Sequence, residues 1–162
     1  MISSFPPSAD PRARILILGS MPGAESLRKN EYYAFPRNAF WRITGGIFSF
    51  DPALPYEERL ACLRKHGVAL WDVLQCCDRE GSLDSRILHP VPNDLRALLS
   101  QCPGIRRIFC NGGAAAGFFR KFFPDLLPLM TKLPSTSPAA AMYSFEEKSK
   151  RWEKELSEAL LR

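Results

Sequence analysis

Short apolar runs alternate with segments of helical spacing along this chain, and the alternation restricts its fold more than any other feature. The runs occupy residues 14–18, 67–74, 105–110 and 127–133. Runs of this length bounded by Gly, Pro or polar residues indicate buried strands. Strands separated by helices pair in parallel, because the chain crosses over between them. We therefore expect an α/β fold, a three-layer α/β/α sandwich with a central, mainly parallel sheet of four strands.

Helix signals fall between those runs. Apolar spacing predicts helices over residues 38–48, 55–66 and 113–122, and a last helix ending near residue 161. Ser144 with Glu147 matches a capping box at the start of that last helix. Asn93 is expected to cap a shorter helix through residue 99. No repeat or low-complexity linker divides the 162 residues, so we expect one domain over residues 1–162.

Composition argues against disorder and membrane insertion. Hydrophobic residues make up 46% of the chain and charged residues 24%, as in globular proteins. No apolar run approaches the ~20 residues that cross a bilayer. The N-terminal residues lack the basic and apolar regions of a secretory signal, which favours a cytoplasmic protein. The odd number of cysteines, five, without a Cys-x-x-Cys pair favours reduced thiols. Because only two histidines are present and metal-ligand spacing is absent, we expect no metal and no cofactor.

The positive charge of the chain is concentrated in one stretch. The formal net charge is +5, and residues 103–144 hold five basic residues against one acidic residue. A basic stretch of this kind is compatible with nucleic-acid binding without demonstrating it.

Four polar or glycine-rich segments follow predicted strands. They are residues 19–23, Asp72, residues 111–113 and residues 134–138. The carboxyl ends of parallel strands lie at one edge of the sheet, where ligands of such folds bind. We therefore expect these four segments to meet at a ligand site.

Three of the four segments have a structural interpretation beside the functional one. Residues 19–23 lack the phosphate-loop and dinucleotide motifs; they form either a tight turn or a surface for a planar ligand, which glycine lets approach closely. Asp72 is either a surface or capping carboxylate or a hydrogen-bond acceptor for a ligand. Residues 134–138 are either a polar loop or a set of phosphate contacts, to which Lys132 adds charge.

An aromatic segment supplies a further candidate. Residues 32–41 hold five aromatic side chains around a Pro-Arg-Asn sequence at residues 36–38. Core packing accounts for Phe40 and Trp41, whereas an aromatic face beside an amide suits a base flipped out of DNA. No Ser-His-Asp arrangement is evident, which disfavours a hydrolase with a side-chain nucleophile.

Together these motifs resemble those of the uracil-DNA glycosylase superfamily. Residues 19–23 (Gly-Ser-Met-Pro-Gly) are similar to the first motif of that superfamily. Residues 33–41 (Tyr-Ala-Phe-Pro-Arg-Asn-Ala-Phe-Trp) and 133–139 (Leu-Pro-Ser-Thr-Ser-Pro-Ala) resemble its aromatic segment and its second motif. The resemblance is nearest to the hypoxanthine-DNA (deoxyinosine) glycosylase branch, which is related to the mismatch-specific uracil glycosylases.

The resemblance implies a monofunctional DNA glycosylase of base excision repair. Such an enzyme hydrolyses the N-glycosidic bond of a flipped deaminated base, here expected to be hypoxanthine, and leaves an abasic site. The expected partner is double- or single-stranded DNA that contains a deaminated base. The protein is expected to be a cytoplasmic monomer that acts on nucleoid DNA of the bacterial type and does not bind a membrane. The alternatives are a uracil or mismatched-base glycosylase, a noncatalytic lesion-binding module and an unrelated nucleotide-binding α/β protein.

The resemblance also implies roles for individual residues. Tyr33 would stack on the flipped base, and the turn at Gly19 would present the backbone amides of Ser20 and Met21 to it. Asn38 would position water or the sugar and is the expected catalytic residue. Asp72 would accept a hydrogen bond from the base edge.

DNA contacts are expected from a second set of residues, which are Arg37, Lys132, Ser135, Thr136 and Ser137.

Two positions depart from the superfamily pattern. Met21 stands where superfamily members often carry a water-positioning Asp or Asn, and a thioether does not do that work. Phe35 stands where the pattern commonly has His, so no imidazole role transfers to it.

Overall fold

A parallel sheet of four strands forms the centre of the computed structural model, which describes residues 1–161. The strands are Ile15–Gly19 (β2), Val68–Asp72 (β3), Arg107–Asn111 (β6) and Met130–Leu133 (β7), arranged in the order β3-β2-β6-β7; the short first strand of the chain, Ile2–Ser3 (β1), lies elsewhere. Every residue of β2 and β3 is buried. Because the side chains of a strand alternate between faces, the sheet is covered on both sides. The predicted α/β fold is confirmed.

Helices surround this sheet and lie close to their predicted positions. The helix predicted over residues 113–122 has those bounds, and the last helix begins after the expected capping box of Ser144 and Glu147. The first helix, six residues long, was not predicted. The helices are Ala24–Lys29 (α1), Phe40–Phe48 (α2), Tyr56–Lys65 (α3), Leu95–Gln101 (α4), Gly113–Phe122 (α5) and Phe145–Leu160 (α6).

A second, antiparallel sheet was not predicted from the sequence. It consists of β1, Leu74–Asp78 (β4) and Leu88–Pro92 (β5), in the order β1-β4-β5. The predicted strand over residues 67–74 is therefore divided: β3 ends at Asp72, and after Val73 the chain enters the second sheet as β4. Two sheets thus share one continuous stretch of backbone.

The prediction that Asn93 caps α4 is wrong. Asp94 is the cap, because its side chain accepts a hydrogen bond from the amide of Ala97 at 3.1 Å. Asn93 is buried, and its Nδ2 donates to the carbonyl oxygens of Asp72 and Leu74 at 2.8 and 3.1 Å. Its amide therefore joins the backbone on both sides of the crossing between the sheets.

Side chains of the last helix, α6, donate hydrogen bonds to the backbone of the loop formed by residues 134–138. The indole of Trp152 donates to the carbonyl of Pro134 at 2.9 Å, and Lys148 Nζ donates to the carbonyl of Ser137 at 3.2 Å. Both donor side chains are buried, so the loop is fixed by contacts that solvent does not disrupt. Within residues 1–161, no helix has the combined length and apolar character needed to cross a membrane.

Candidate active site

A cavity of about 500 Å³ opens at the carboxyl ends of β2, β3 and β6. The chain leaves β2 toward β3 on one side and returns to β6 on the other, so the cavity lies at the topological switch point of the sheet. All four segments expected to converge contribute to its wall. Its size falls in the range of small-molecule sites. Among its lining residues are Gly19, Ser20, Met21, Tyr33, Arg37, Asn38, Asp72, Asp84, Asn111, Ser135, Thr136 and Ser137.

Asp72 and Tyr33 meet against Gly19 at the floor of the cavity. A Cβ atom at position 19 would lie 2.5 Å from Oδ1 of Asp72 and 3.0 Å from the hydroxyl oxygen of Tyr33. Real Cβ atoms do not approach oxygen so closely, so only glycine allows both side chains to occupy these positions. The first glycine of the motif is therefore explained by packing within the site.

The carboxyl group of Asp72 is buried without full compensation. The side chain is 3% exposed, and Oδ2 has no hydrogen-bond partner. Burial, followed by the charge of Asp84, raises the pKa of Asp72 to about 7, while Arg79 acts in the opposite direction. A buried carboxyl oxygen that protein groups leave unsatisfied is a natural acceptor for a ligand N–H group.

Tyr33 presents an aromatic ring to the cavity in a strained backbone conformation. Its φ angle of 54° places a bulky residue in the left-handed region, and its ring stacks on Phe40 with centroids 4.0 Å apart. Its hydroxyl makes no hydrogen bond of ordinary geometry. Burial, then the charge of Asp72, raises the pKa of this phenol, and the side chain of Asn111 opposes that shift weakly. Tyr33 is therefore a neutral ring held rigidly at the site.

Asn38 lies at the start of α2, where local hydrogen bonding restricts its side chain. Its Oδ1 accepts from the amide of Phe40 at 2.9 Å, so the NH2 group is the donor that remains for a ligand. Arg37, next in sequence, is exposed at the cavity wall, with its guanidinium 5.6 Å from the ring centroid of Phe35. The cavity wall therefore has the NH2 group of Asn38 as a hydrogen-bond donor and the guanidinium of Arg37 as a cation.

Asn111 and Thr136 are joined by two hydrogen bonds across the opposite wall. Asn111 Nδ2 donates to the hydroxyl of Thr136, and Asn111 Oδ1 accepts from the amide of Thr136, both at 2.9 Å. Thr136 is only 1% exposed, so its side chain is not accessible to a DNA backbone. The buried Thr136 side chain holds the loop and does not make the predicted DNA contact, whereas Ser135 and Ser137 are half-buried and accessible.

Sequence reasoning missed the segment between β4 and β5. Its Asp84 lines the cavity and accepts a hydrogen bond from the hydroxyl of Ser20 at 2.7 Å. Ser82 Oγ accepts from the amide of Ala24 at 2.8 Å, and the guanidinium of Arg79 donates to the carbonyl of Pro22. These contacts join positions about sixty residues apart, and no local pattern predicts them.

The structure brings all predicted site residues to the cavity except one. Lys132 lies exposed on β7 and is not part of the cavity wall. The side chain of Met21 is 6% exposed and packs with the core as well as lining the site. Within residues 1–161, no group of His, Cys, Asp and Glu has a metal-binding arrangement.

Replacing Gly19 with alanine should distort the floor of the cavity. The new Cβ atom would force Asp72 or Tyr33 to move, and such overpacking costs about 1–3 kcal/mol. We expect a lower free energy of unfolding in urea and weaker ligand binding. Gly117→Ala is the control for an alanine that meets no neighbour, because nothing lies within 4 Å of a Cβ atom there; since Gly117 lies inside α5, this variant should be up to about 1 kcal/mol more stable than the wild type. A Gly19→Ala variant as stable as the wild type would contradict the packing explanation.

Comparisons with known proteins match the chain to one family. The family model described as the uracil DNA glycosylase superfamily matches residues 6–161. Proteins named hypoxanthine DNA glycosylase from Methanosarcina barkeri and Methanosarcina acetivorans are 34% and 37% identical, covering 91% and 92% of this chain and 93% and 94% of theirs.

A solved structure is similar over nearly the whole length. The solution NMR structure of a Methanosarcina acetivorans protein, named as a candidate uracil DNA glycosylase, superposes with a TM-score of 0.82 at 35% identity and covers 97% of each chain. With a family match across residues 6–161 and relatives above 30% identity over most of their length, the chain belongs to the uracil DNA glycosylase superfamily.

Proposed function

We propose that this protein is a monofunctional DNA glycosylase that releases hypoxanthine from DNA and leaves an abasic site. The observation that carries the proposal is the unsatisfied Asp72 carboxyl at the floor of a cavity with an aromatic wall. Hypoxanthine has an N–H group on its Watson–Crick edge, and this carboxyl would accept a hydrogen bond from it. The names of the Methanosarcina relatives support the same base.

The catalytic sequence begins with extrusion of the nucleotide. Unstacking costs a few kcal/mol, and less for a mispaired base such as hypoxanthine. The flipped base would lie against the ring of Tyr33 with its edge toward Asp72. In this pose the deoxyribose stays near the cavity mouth, beside Asn38 and the turn of residues 19–23.

Cleavage of the glycosidic bond separates charge. The sugar becomes cationic and the leaving base anionic, so hydrogen-bond donors aimed at the base strengthen as the bond breaks. The amides of Ser20 and Met21, together with the NH2 group of Asn38, would serve this purpose. Asn38 would also position the attacking water, a role that the thioether of Met21 does not perform.

Strand cleavage is not part of the proposed reaction. None of the described residues that line the cavity is a lysine, so no amine is in place to form an imine with the sugar. Arg37, Ser135 and Ser137 at the cavity and Lys132 on the neighbouring strand would contact DNA phosphates. We further propose that the protein acts as a monomer on DNA in the cytoplasm.

A single-turnover assay tests the proposal. Matched duplexes would carry one deoxyinosine, deoxyuridine or normal base at the same position, and abasic sites would be developed with alkali. We expect product from deoxyinosine well above that from deoxyuridine, and an intact strand when alkali is omitted. Product mainly from deoxyuridine would favour a uracil glycosylase, and tight DNA binding with no product would favour a noncatalytic module.

A further inference from the structure

The proposed reaction needs an acceptor for a proton that Asn38 does not take. When water adds to the sugar, one of its protons must leave. An amide oxygen is a poor proton acceptor, and Oδ1 of Asn38 already accepts from the amide of Phe40. Position 21 carries a buried methionine, which has no basic group. The acceptor must therefore come from another part of the cavity.

Three described carboxylates line the cavity, and two of them are unsuitable. Glu25 is already paired, because its Oε1 accepts from the guanidinium of Arg28 in the same helix. Asp72 lies at the floor against Gly19, where the edge of the bound base would separate it from the sugar. Asp84 is the third, and it is exposed at the cavity rather than buried in its floor.

Asp84 is held against the turn that carries Met21. The hydroxyl of Ser20 donates to its Oδ1 at 2.7 Å, and Ser20 directly precedes Met21. A carboxylate has about four acceptor sites, so one bond from Ser20 leaves capacity for a water molecule. The Asp84–Arg86 turn is a 3₁₀ helix, and the contacts of Arg79 and Ser82 with residues 22–24 hold the whole segment in place.

We propose that Asp84 supplies the carboxylate that accepts the proton of the attacking water and, together with Asn38, orients that water. This inference rests on the proposed function. The water oxygen forms a bond to C1′ of the deoxyribose as the C1′–N9 bond breaks, and the electron pair of that bond leaves with the base. One water proton passes to Asp84, and the anionic base takes a proton from solvent. Asp84 is then a catalytic residue from outside the family motifs.

The decisive variant is Asp84→Asn, measured by single-turnover release of hypoxanthine. Its amide oxygen can still accept from Ser20, so the fold and the cavity wall are preserved, but it no longer accepts a proton. We expect the rate to fall about 100-fold, the lower end of the range for general acid–base catalysis. Binding to a duplex with a non-hydrolysable deoxyinosine analogue should stay within about threefold of wild type, because base and phosphate contacts remain.

A matched control removes an equal charge from the same segment. Glu80→Gln is suitable because Glu80 is exposed and does not line the cavity; we expect its rate to stay within about twofold of wild type. Asp84→Ala should recover part of its lost rate in sodium formate and none in sodium chloride of equal ionic strength. A purely structural role of Asp84 would not produce rescue by a small carboxylate.

The outcomes separate the two proposals. An active wild-type enzyme with an Asp84→Asn rate within twofold of it would overturn the role of Asp84 and leave the glycosylase function intact. A rate loss as large in Ser20→Ala as in Asp84→Asn, without rescue by formate, would reduce Asp84 to a support for Ser20. A wild-type protein that releases no base from any lesion duplex would overturn the proposed function and, with it, the role of Asp84.

Discussion

Replacing Asn38 with alanine should slow the release of hypoxanthine about a thousandfold in single-turnover assays. The variant loses the amide donor that faces the cavity from the start of α2. Removing one preorganised donor to a developing negative charge costs about 10²–10³-fold in rate. Loss of the positioned water adds to this effect. Binding to an uncleaved lesion duplex should change far less, because Tyr33 and Asp72 still hold the base.

Two variants sharpen that test. Asn38→Asp keeps an oxygen for the amide of Phe40 but has no NH2 group, so it should be about as slow as the alanine variant. Gln75→Ala removes an exposed amide outside the cavity and should keep the wild-type rate. Full activity of Asn38→Asp would show that the donor is not what the reaction uses.

Asp72→Asn should be more stable than the wild type at alkaline pH, and this advantage should shrink as the pH falls. The pKa of Asp72 is raised to about 7 in the folded protein by burial, so the folded state binds the proton more tightly than the unfolded chain. The free energy of unfolding of the wild type therefore rises as the pH falls from about 7 toward 4. Three pKa units correspond to roughly 4 kcal/mol at most.

Urea unfolding of both proteins at pH 8 and pH 4.5 measures this linkage. Other groups titrate alike in the two proteins, so the difference between their unfolding free energies isolates Asp72. We expect that difference to change by about 3 kcal/mol between the two pH values. A difference independent of pH would mean that Asp72 is ionised in the folded state at both values. Asp72→Asn should also alter the preference among bases more than the affinity for DNA.

Local patterns were sufficient to predict three strands of the central sheet and the segments that meet at its edge; of the fourth strand, predicted over residues 127–133, residues 127–129 lie instead in a 3₁₀ helix. Strands β2, β3 and β6 are short apolar runs, and the turn after β2 is marked by glycine and proline, so their type and order could be read directly. Parallel pairing then places their carboxyl ends together. For this reason the positions of Asp72 and of residues 19–23 at one site were predictable, although their chemical roles stay predictions.

The second sheet lacks such patterns. Strand β5 contains Pro90 and Pro92, which ordinarily argue against a strand, and its pairing with β4 shifts register twice. Asn93 has the residue type of a helix cap, yet the crossing between the sheets uses its amide in the interior. Tertiary hydrogen bonding therefore outweighed the local preference.

Asp84 was missed for a related reason. It lies in a polar, exposed segment that looks like an ordinary loop, and its importance comes from Ser20, 64 positions away. A carboxylate becomes significant only when the fold places it beside a cavity. Thr136 shows the converse, because its motif suggested a DNA contact and the fold buries its side chain instead.

The crossing at Val73 has a consequence for the mobility of the site. The amide of Val73 donates to the carbonyl of Gly19 at 2.8 Å, its carbonyl accepts from the amide of Asn93 at 2.8 Å, and the amide of Leu74 donates to the carbonyl of Ser20 at 3.2 Å. Opening the floor of the cavity would therefore break both sheets at once, and such openings cost nearly as much as global unfolding. The floor of the cavity therefore keeps one conformation, and it selects a base by the fit between the base and the cavity. Conformational adjustment to different DNA is then confined to the exposed loops.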